Sequence, residues 1–179
     1  KIAEKGLLVK RINIRKLLPY PGTGLYNEKP VTNRGLLNRF EYFREKIRND
    51  IDRFMLKKIY PAGTVIKNNL VLDKRDGYSF AKQIASYSIT VKIPGELDMK
   101  SFQNILVTGQ RERSLSGIPL PFYINTANQK ALESIPGINR DTASEIIIKR
   151  PFNGISEISE YLNNVPQKLR EKLIEQIKL

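Results

Sequence analysis

The sequence predicts an α+β chain made of a strand with a long helix, a small β-barrel and a C-terminal four-helix region. Residues 33–59 repeat apolar side chains every three to four positions, residues 61–121 alternate in short stretches between turn signals, and residues 122–179 return to helical spacing. The 179 residues are enough for two or three small domains. We therefore expect three segments, with bounds 1–60, 61–121 and 122–179.

The first segment is predicted to hold one strand and one long helix. Residues 6–15 form an apolar run that then alternates, with Ile12 and Ile14 on one face, as in a strand. After a Pro-Gly-rich loop, Asn33 is a suitable N-cap for a helix that ends at Ile59. The apolar stripe of this helix comprises Leu36, Leu37, Phe40, Phe43, Ile47, Ile51, Phe54, Met55 and Ile59. Because one strand and one helix cannot bury such a stripe, we expect the barrel, an upstream domain or a second copy of the chain to cover it.

The middle segment has the pattern of a small barrel. Asp76-Gly77 and Pro94-Gly95 are turn signals between short runs of β-branched and aromatic residues. The predicted strands lie at residues 64–66, 70–72, 78–81, 84–93 and 104–109. Several short strands joined by tight turns favour a closed barrel of the OB type.

The same segment offers aromatic and basic residues of the kind that bind nucleic acid. Small barrels bind single-stranded RNA by stacking its bases on aromatic rings beside basic side chains. Alternation, however, places Tyr87 in phase with the apolar residues that follow it, and Tyr78 shares a face with Phe80, so we expect these three rings in the core. Arg111 and Arg113 share a face on the extension of the last strand and are the better surface candidates.

The last segment begins with a short helix, a tight turn and a second helix between residues 123 and 153. Asn125 or Thr126 can cap the first helix, Pro136-Gly137 ends it, and Asn139 to Thr142 open the second. A helix start that follows a glycine turn presents N–H groups and the positive end of the helix dipole, which together favour an anion. Two further helices are expected at residues 155–162 and 167–179.

The turn Gly137-Ile138-Asn139 resembles the hairpin of the helix-hairpin-helix family, in the form found in competence-type DNA receptors. The family turn is Gly-hydrophobic-Gly, and Asn can replace the second glycine because it adopts the left-handed region more readily than most residues. The resemblance implies that backbone amides of this turn hold a phosphate, and by position the candidates are Gly137, Asn139, Arg140 and Thr142. The alternative, a hairpin used only for packing or for contact with a protein, stays open.

Composition limits the chemistry available to these residues. The net charge is +13, of which residues 1–60 carry +9, residues 61–121 carry +3 and residues 122–179 carry +1, so the hairpin segment has little charge with which to hold a phosphate backbone. The chain has no Cys and no His, so it lacks thiolate ligands and the usual general base. Its carboxylates are scattered, and no combination of residues indicates an autonomous active site. No apolar run is long enough to span a membrane and no signal peptide is visible, so we expect a cytoplasmic protein.

Taken in order, the three segments resemble the C-terminal part of archaeal-type radical S-adenosylmethionine proteins. Residues 8–15, followed by Pro21-Gly22-Thr23, resemble the end of the catalytic barrel of that group. Residues 61–65, 113–119 and 124–127 resemble the junctions around its TRAM-like barrel and its helix-hairpin-helix domain. The resemblance implies a 4Fe–4S cluster and S-adenosylmethionine in the parent enzyme. The three-cysteine motif of the group, Cys-x3-Cys-x2-Cys, has no counterpart here, so we expect no cofactor in this chain and a cluster upstream of it.

These observations leave two functions open. In the first, the chain is the substrate-recognition region of a radical S-adenosylmethionine iron–sulfur enzyme, binds RNA rather than DNA, and has its reaction centre upstream of Lys1. In the second, it is a non-catalytic module that binds DNA or contacts a protein through the helix-hairpin-helix. The expected partners are a nucleic acid, with no membrane, and either an upstream catalytic domain or a second copy of the chain.

Overall fold

The computed structural model describes residues 5–9, 12–16, 19–27, 33–86 and 88–179. The chain divides into two compact units, Lys1–Met55 and Leu56–Leu179. The described residues form a mixed α+β structure with a closed five-stranded barrel and helices, and the α+β class and the barrel are thus confirmed. The predicted barrel segment and the predicted C-terminal segment both fall within the second unit.

The predicted long helix is present and has a π-helical turn near its middle. Helix α1 spans Arg34–Ile47, the π turn spans Arg48–Asp52 and helix α2 spans Arg53–Ile59. Asn33 caps α1 as predicted, because its side-chain oxygen accepts a hydrogen bond from the Leu36 N–H at 2.8 Å.

The apolar stripe of this helix is only partly covered. None of the fourteen residues of α1, all of which are described, is buried. Phe43 is 56% exposed and Phe54 is 44% exposed, whereas Met55 and Leu56 at the end of the stripe are buried. Phe43 and Phe54 are therefore not buried by the described residues of their own unit, and cover by the barrel, by another domain or by a second copy stays a prediction.

The strand predicted over residues 6–15 is wrong for the part that the structure describes. Residues 7–9 and 12–16 have no regular secondary structure, and Lys10 and Arg11 lie outside the described residues. A backbone N–H needs a hydrogen-bond partner wherever it lies. The Ile12 N–H donates to the carboxylate of the buried Asp52 at 2.9 Å, so a side chain and not a neighbouring strand holds it.

The barrel has the strand order β1-β2-β3-β5-β4, and β4 closes onto β1. The strands are β1 (Val65–Arg75), β2 (Tyr78–Gln83), β3 (Thr90–Pro94), β4 (Phe102–Gln110) and β5 (Ser114–Leu120). Neighbours are antiparallel except β3 and β5, which are parallel. The barrel core contains Leu56, Ile66, Val71, Val91, Ile93, Ile105, Val107 and Leu115.

The strands differ from the sequence prediction in three places. The stretches at 64–66 and 70–72 belong to one strand, β1, because a register shift between Ile66 and Asn69 lets it continue. Residues 84–86 lie outside the strands, and β3 begins at Thr90. The sequence pattern does not predict β5, because small and polar residues interrupt its alternation. Tyr87, expected in the core, lies outside the described residues.

Strand β2 turns the opposite face inward from the one predicted. Ser79 and Ala81 are fully buried, whereas Tyr78 and Phe80 are only half-buried. Ala81 pairs with Val91 of β3, whose side chain is in the core, so the pairing of the strands fixes which face of β2 points inward. The expectation that Tyr78 and Phe80 are core residues is therefore wrong.

Helices and two short strands follow the barrel. These elements are β6 (Phe122–Tyr123), α3 (Gln129–Glu133), α4 (Arg140–Ile148), α5 (Ile155–Ser159), a 3-10 turn (Glu160–Leu162), α6 (Gln167–Gln176) and β7 (Ile177–Lys178). Strands β6 and β7 pair in parallel. One apolar core joins Leu106 and Ile118 of the barrel to Leu132, Ile146 and Leu169 of the helices, so the barrel and the helices are packed as one unit.

The N-cap of α3 differs from the prediction. Asn128 caps this helix, because its side-chain oxygen accepts from the Ala131 N–H at 2.8 Å. Asn125, one of the two predicted caps, instead holds Phe152 through two hydrogen bonds to its backbone, at 3.0 and 2.9 Å. Within the described ranges, no helix has the length and apolar character needed to cross a membrane.

Candidate nucleic-acid interface

A cleft lies where one end of the barrel meets helices α3 and α4, and we call it the barrel–helix cleft. Its larger part has a volume of about 630 Å³ and is lined by Gly77, Gly95, Asn128, Lys130, Glu133 and Arg140, among others. Its smaller part has a volume of about 240 Å³ and is lined by Tyr78, Lys92, Pro94, Arg111, Lys130 and Glu133, among others. Because Lys130 and Glu133 line both parts, the two parts adjoin.

Two glycine turns of the barrel form one wall of this cleft. Gly77 and Gly95 both have positive φ, +74° and +97°, and the Gly95 N–H donates to the Gly77 carbonyl at 3.0 Å, which ties the two turns together. A Cβ on Gly77 would lie 3.1 Å from the Lys130 ammonium nitrogen. The turn thus needs glycine for its backbone conformation, and the lack of a side chain leaves room for a cation of the opposite wall.

Tyr78, the first residue of β2, is the aromatic ring of the cleft. The ammonium nitrogen of Lys92, on β3, lies 3.6 Å from the centre of this ring, and that of Lys130, on α3, lies 5.3 Å from it. Such contacts are attractive because the ring face carries negative charge. Barrel and helix therefore each place one cation against the same ring.

The charge of the cleft is positive. It is lined by four basic residues, Lys92, Arg111, Lys130 and Arg140, and by two acidic ones, Glu96 and Glu133. Glu133 accepts a hydrogen bond from the Gln129 side chain at 2.8 Å. None of the described carboxylates forms an ion pair with Lys92 or Lys130. A concave surface with such an excess of one sign concentrates the field and attracts anions.

The four residues predicted to hold a phosphate have different roles in the structure. Arg140 lines the larger part of the cleft. Asn139 has φ −86°, so it does not use the left-handed region; it caps α4 and accepts from the Thr142 N–H at 2.8 Å. The Thr142 amide is thus already bonded to a side chain. Thr142 and Asn139 build the start of the helix that carries Arg140.

Gly137 holds the turn between α3 and α4 against another turn of the chain. Its φ is +97°, and a Cβ at this position would overlap the carbonyl group of Asn164, in the turn before α6. Two turns can approach this closely only when one of them has no side chain. Gly137 therefore packs against the turn before α6, a contact that the sequence alone does not identify.

Arg111 and Arg113, the two surface candidates of the barrel segment, lie in the turn between β4 and β5. In this turn the Arg111 N–H donates to the Ser114 carbonyl at 2.8 Å. Arg111 lines the smaller part of the cleft, and Arg113 is not among its lining residues. The sequence thus named Arg111 and Arg140 as separate candidates, which the structure brings to adjoining parts of one cleft. It assigned Tyr78 to the core and did not indicate Lys92 or Lys130. The one signal for Tyr78 was its place directly after the Asp76-Gly77 turn, next to basic residues.

Comparison with known proteins gives relatives without a described activity. No family model matches the chain. It is 29% identical over 157 residues to an uncharacterised protein of Archaeoglobus fulgidus, an alignment that covers 88% of this chain and 29% of the relative. It is 34% identical over 120 residues to an uncharacterised protein of Methanocaldococcus jannaschii, which covers 65% of this chain and 22% of that relative. The chain thus spans less than a third of the length of these curated relatives.

Proposed function

We propose that the unit of residues 56–179 binds nucleic acid, RNA rather than DNA, in the barrel–helix cleft. The observation that carries this proposal is a cleft lined by Lys92, Arg111, Lys130 and Arg140, in which the ammonium groups of Lys92 and Lys130 lie against the ring of Tyr78. In the described part of the chain, no carboxylate is paired with either ammonium group. Basic side chains supply affinity for phosphates, and an aromatic ring supplies a surface for a base. A small β-barrel is a common frame for such a groove.

We propose further that this chain is the substrate-recognition region of a radical S-adenosylmethionine iron–sulfur enzyme, with a TRAM-like barrel and a helix-hairpin-helix region. Support comes from the sequence resemblance and from the length of the relatives, most of which lies outside the aligned part. The 179 residues do not fit an iron–sulfur cluster, because they contain no Cys. The chemistry would belong to residues outside this sequence, and we derive no reaction step from the residues described here.

A second candidate function is a non-catalytic scaffold that contacts a protein or binds DNA. It is favoured by two observations: Gly137 serves the contact between two turns, and the apolar side chains of Phe43 and Phe54 are exposed. Phe43 also lies beside the exposed Tyr42, with 5.8 Å between the ring centres, and adjoining exposed apolar side chains are typical of surfaces that bind a partner.

The proposal is tested by fluorescence anisotropy of labelled tRNA and labelled duplex DNA with the 179-residue chain. The double variant Lys130→Gln/Arg140→Gln should bind tRNA roughly tenfold more weakly at low salt, with a shallower dependence on salt, because two phosphate contacts are lost. Lys168→Gln/Lys178→Gln, which removes two exposed lysines outside the cleft and so the same net charge, is the matched control and should bind nearly as the wild type does.

The outcomes separate the candidates. Equal weakening by the cleft variant and the control would show that only net charge matters and would remove the cleft as a site. Tighter binding of duplex DNA than of tRNA would favour the second candidate. The enzyme proposal is tested on the gene: a Cys-x3-Cys-x2-Cys motif encoded upstream of Lys1 supports it, and a natural start codon at Lys1 contradicts it.

A further inference from the structure

The ring of Tyr78 is held by two side chains that a nucleic acid would also attract. The ammonium groups of Lys92 and Lys130 lie 3.6 and 5.3 Å from the ring centre, and neither is paired with a described carboxylate. A contact between an ammonium group and an aromatic face near solvent is weak, whereas a contact between an ammonium group and a phosphate is charge-assisted. Both lysines would therefore gain by moving to a phosphate, and their movement would uncover the ring.

An uncovered ring in this position suits a nucleic-acid base. Stacking of a base on an aromatic side chain is stronger than an exposed cation–π contact and does not depend on which base is present. Long lysine stems can move without any change in the backbone. The backbone that carries the ring is held on both sides, because Tyr78 pairs with Arg75 of β1 and with Pro94 of β3.

The size of the cleft and the accessibility of the bases both favour a single strand over a duplex. The larger part of the cleft, of about 630 Å³, falls within the range of roughly 300–1,000 Å³ that is typical of small-ligand sites, and the adjoining part that contains Tyr78 adds about 240 Å³. The bases of a duplex are stacked and paired and cannot present a face to Tyr78, whereas those of a single strand or a loop can. The ring lies between barrel and helix cations, so a phosphate on either side of a stacked base would meet a basic side chain.

We infer that the barrel–helix cleft binds a single-stranded segment of RNA, with one base stacked on Tyr78 and the ammonium groups of Lys92 and Lys130 transferred from the ring to the neighbouring phosphates. This inference rests on the proposed function, which it makes specific. No covalent step is involved. The contacts between the two ammonium groups and the ring of Tyr78 are replaced by contacts between those ammonium groups and phosphates, and by stacking of a base on the ring.

The test compares a labelled single-stranded RNA with a duplex of the same sequence, by anisotropy with the 179-residue chain. Tyr78→Ala should lower the affinity for the single strand about five- to tenfold and leave the affinity for the duplex unchanged. Tyr78→Phe, which keeps the ring, should restore most of the affinity that Tyr78→Ala loses. Tyr123→Ala removes an exposed tyrosine of β6 outside the cleft and is the matched control.

A second measurement reports the exchange of the lysines. A plot of log affinity against log salt concentration has a negative slope. Lys92→Gln should make this slope shallower by about 0.7 for the single strand, because one phosphate contact is lost. Circular dichroism confirms in each case that the variant is folded.

Each outcome decides something. If the duplex binds as tightly as the single strand, or if folded Tyr78→Ala keeps its affinity, the inference is overturned. If the inference is overturned but Lys130→Gln/Arg140→Gln still weakens RNA binding, the proposed function stands and only the stacking of a base on Tyr78 is lost. If the chain binds neither RNA, both are overturned.

Discussion

The N-terminal helix and the barrel–helix cleft both place cations on aromatic rings, but they differ in how those cations are neutralised. At the helix, the Lys16 ammonium lies 5.3 Å and the Arg44 guanidinium 5.8 Å from the centre of the Phe40 ring. Both also pair with Glu41, Lys16 at 3.9 Å and Arg44 from one turn along the same helix. Lys16 and Arg44 thus share a carboxylate partner within their own unit.

In the cleft, the two ammonium groups that contact Tyr78 have no such carboxylate among the described residues. Residues 1–60 carry a net charge of +9, whereas residues 61–179, which include every lining residue of the cleft, carry +4. We therefore propose that the arrangement of a few cations without carboxylate partners in a concave surface, more than the number of basic residues in a segment, sets where an anion binds to this chain.

The largest effect is expected from Gly137→Val, which would remove the support of the wall that carries Arg140. A valine at this position would meet the Asn164 backbone and would need a φ of +97°, so we expect a loss of about 3 kcal/mol or more in the free energy of unfolding. Urea unfolding followed by circular dichroism measures it. Gly154→Ala is the control, with negative φ and ordinary contacts, and should change stability by at most about 1 kcal/mol. Equal stability of the two variants would refute the packing role of Gly137.

The next effect compares one cation of each region directly. Lys130→Gln in the cleft should weaken RNA binding about fivefold, because it removes a phosphate contact, whereas Arg44→Gln should weaken it less than about twofold, because Glu41 already neutralises Arg44. Anisotropy at two salt concentrations checks both. A larger effect from Arg44→Gln would reverse the comparison and assign binding to the N-terminal helix.

A smaller effect is expected at Arg150, a cation that neither region uses. Burial lowers the pKa of this guanidinium, and its Nε and Nη2 atoms are buried without a hydrogen-bond partner in the described part of the chain. Replacement by an apolar side chain of similar length removes unsatisfied donors, so Arg150→Met should raise the free energy of unfolding by about 1 kcal/mol. A loss of stability in the same urea assay would show that the charge has a partner.

The smallest effect is expected at the exposed stripe of the first unit. Phe43 is 56% exposed, so Phe43→Asp should change the stability of the monomer by less than about 0.5 kcal/mol. If a second copy covers the stripe, the same variant should instead abolish a dimer of the wild type in analytical ultracentrifugation. A strong loss of monomer stability would show that the chain itself buries this side chain.

Much of the fold could be predicted from local signals. The cap at Asn33, the end of the long helix at Ile59 and the turns at Gly77 and Gly95 depend on a few neighbouring residues, and all are present. Local signals failed where a strand would need a neighbouring strand to pair with, because alternation alone does not supply that pairing. Residues 7–9 and 12–16 show strand-like alternation and no strand.

The candidate site was predictable only in part, for the same reason. Arg111 and Arg140 could be chosen one by one, Arg111 as a basic residue on the predicted extension of the last strand and Arg140 as a basic residue at a helix start. Lys92 and Lys130 have no such local mark, because each is a single lysine on a regular element. They become part of a site only through the ring that they share.

The sequence by itself determined the class of the chain, its barrel, its helices and their glycine turns, because hydrophobic period and backbone conformation are properties of short stretches. Only the tertiary structure decided which face of β2 points outward. From the sequence, the aromatic rings of Tyr78 and Phe80 could equally belong to a core. The pairing of Ala81 with the buried Val91 turns Ala81 inward and the two rings outward. The tertiary structure also brought Arg111, Lys130 and Arg140 to one cleft, because the apolar core that joins barrel and helices depends on contacts between residues far apart in the chain.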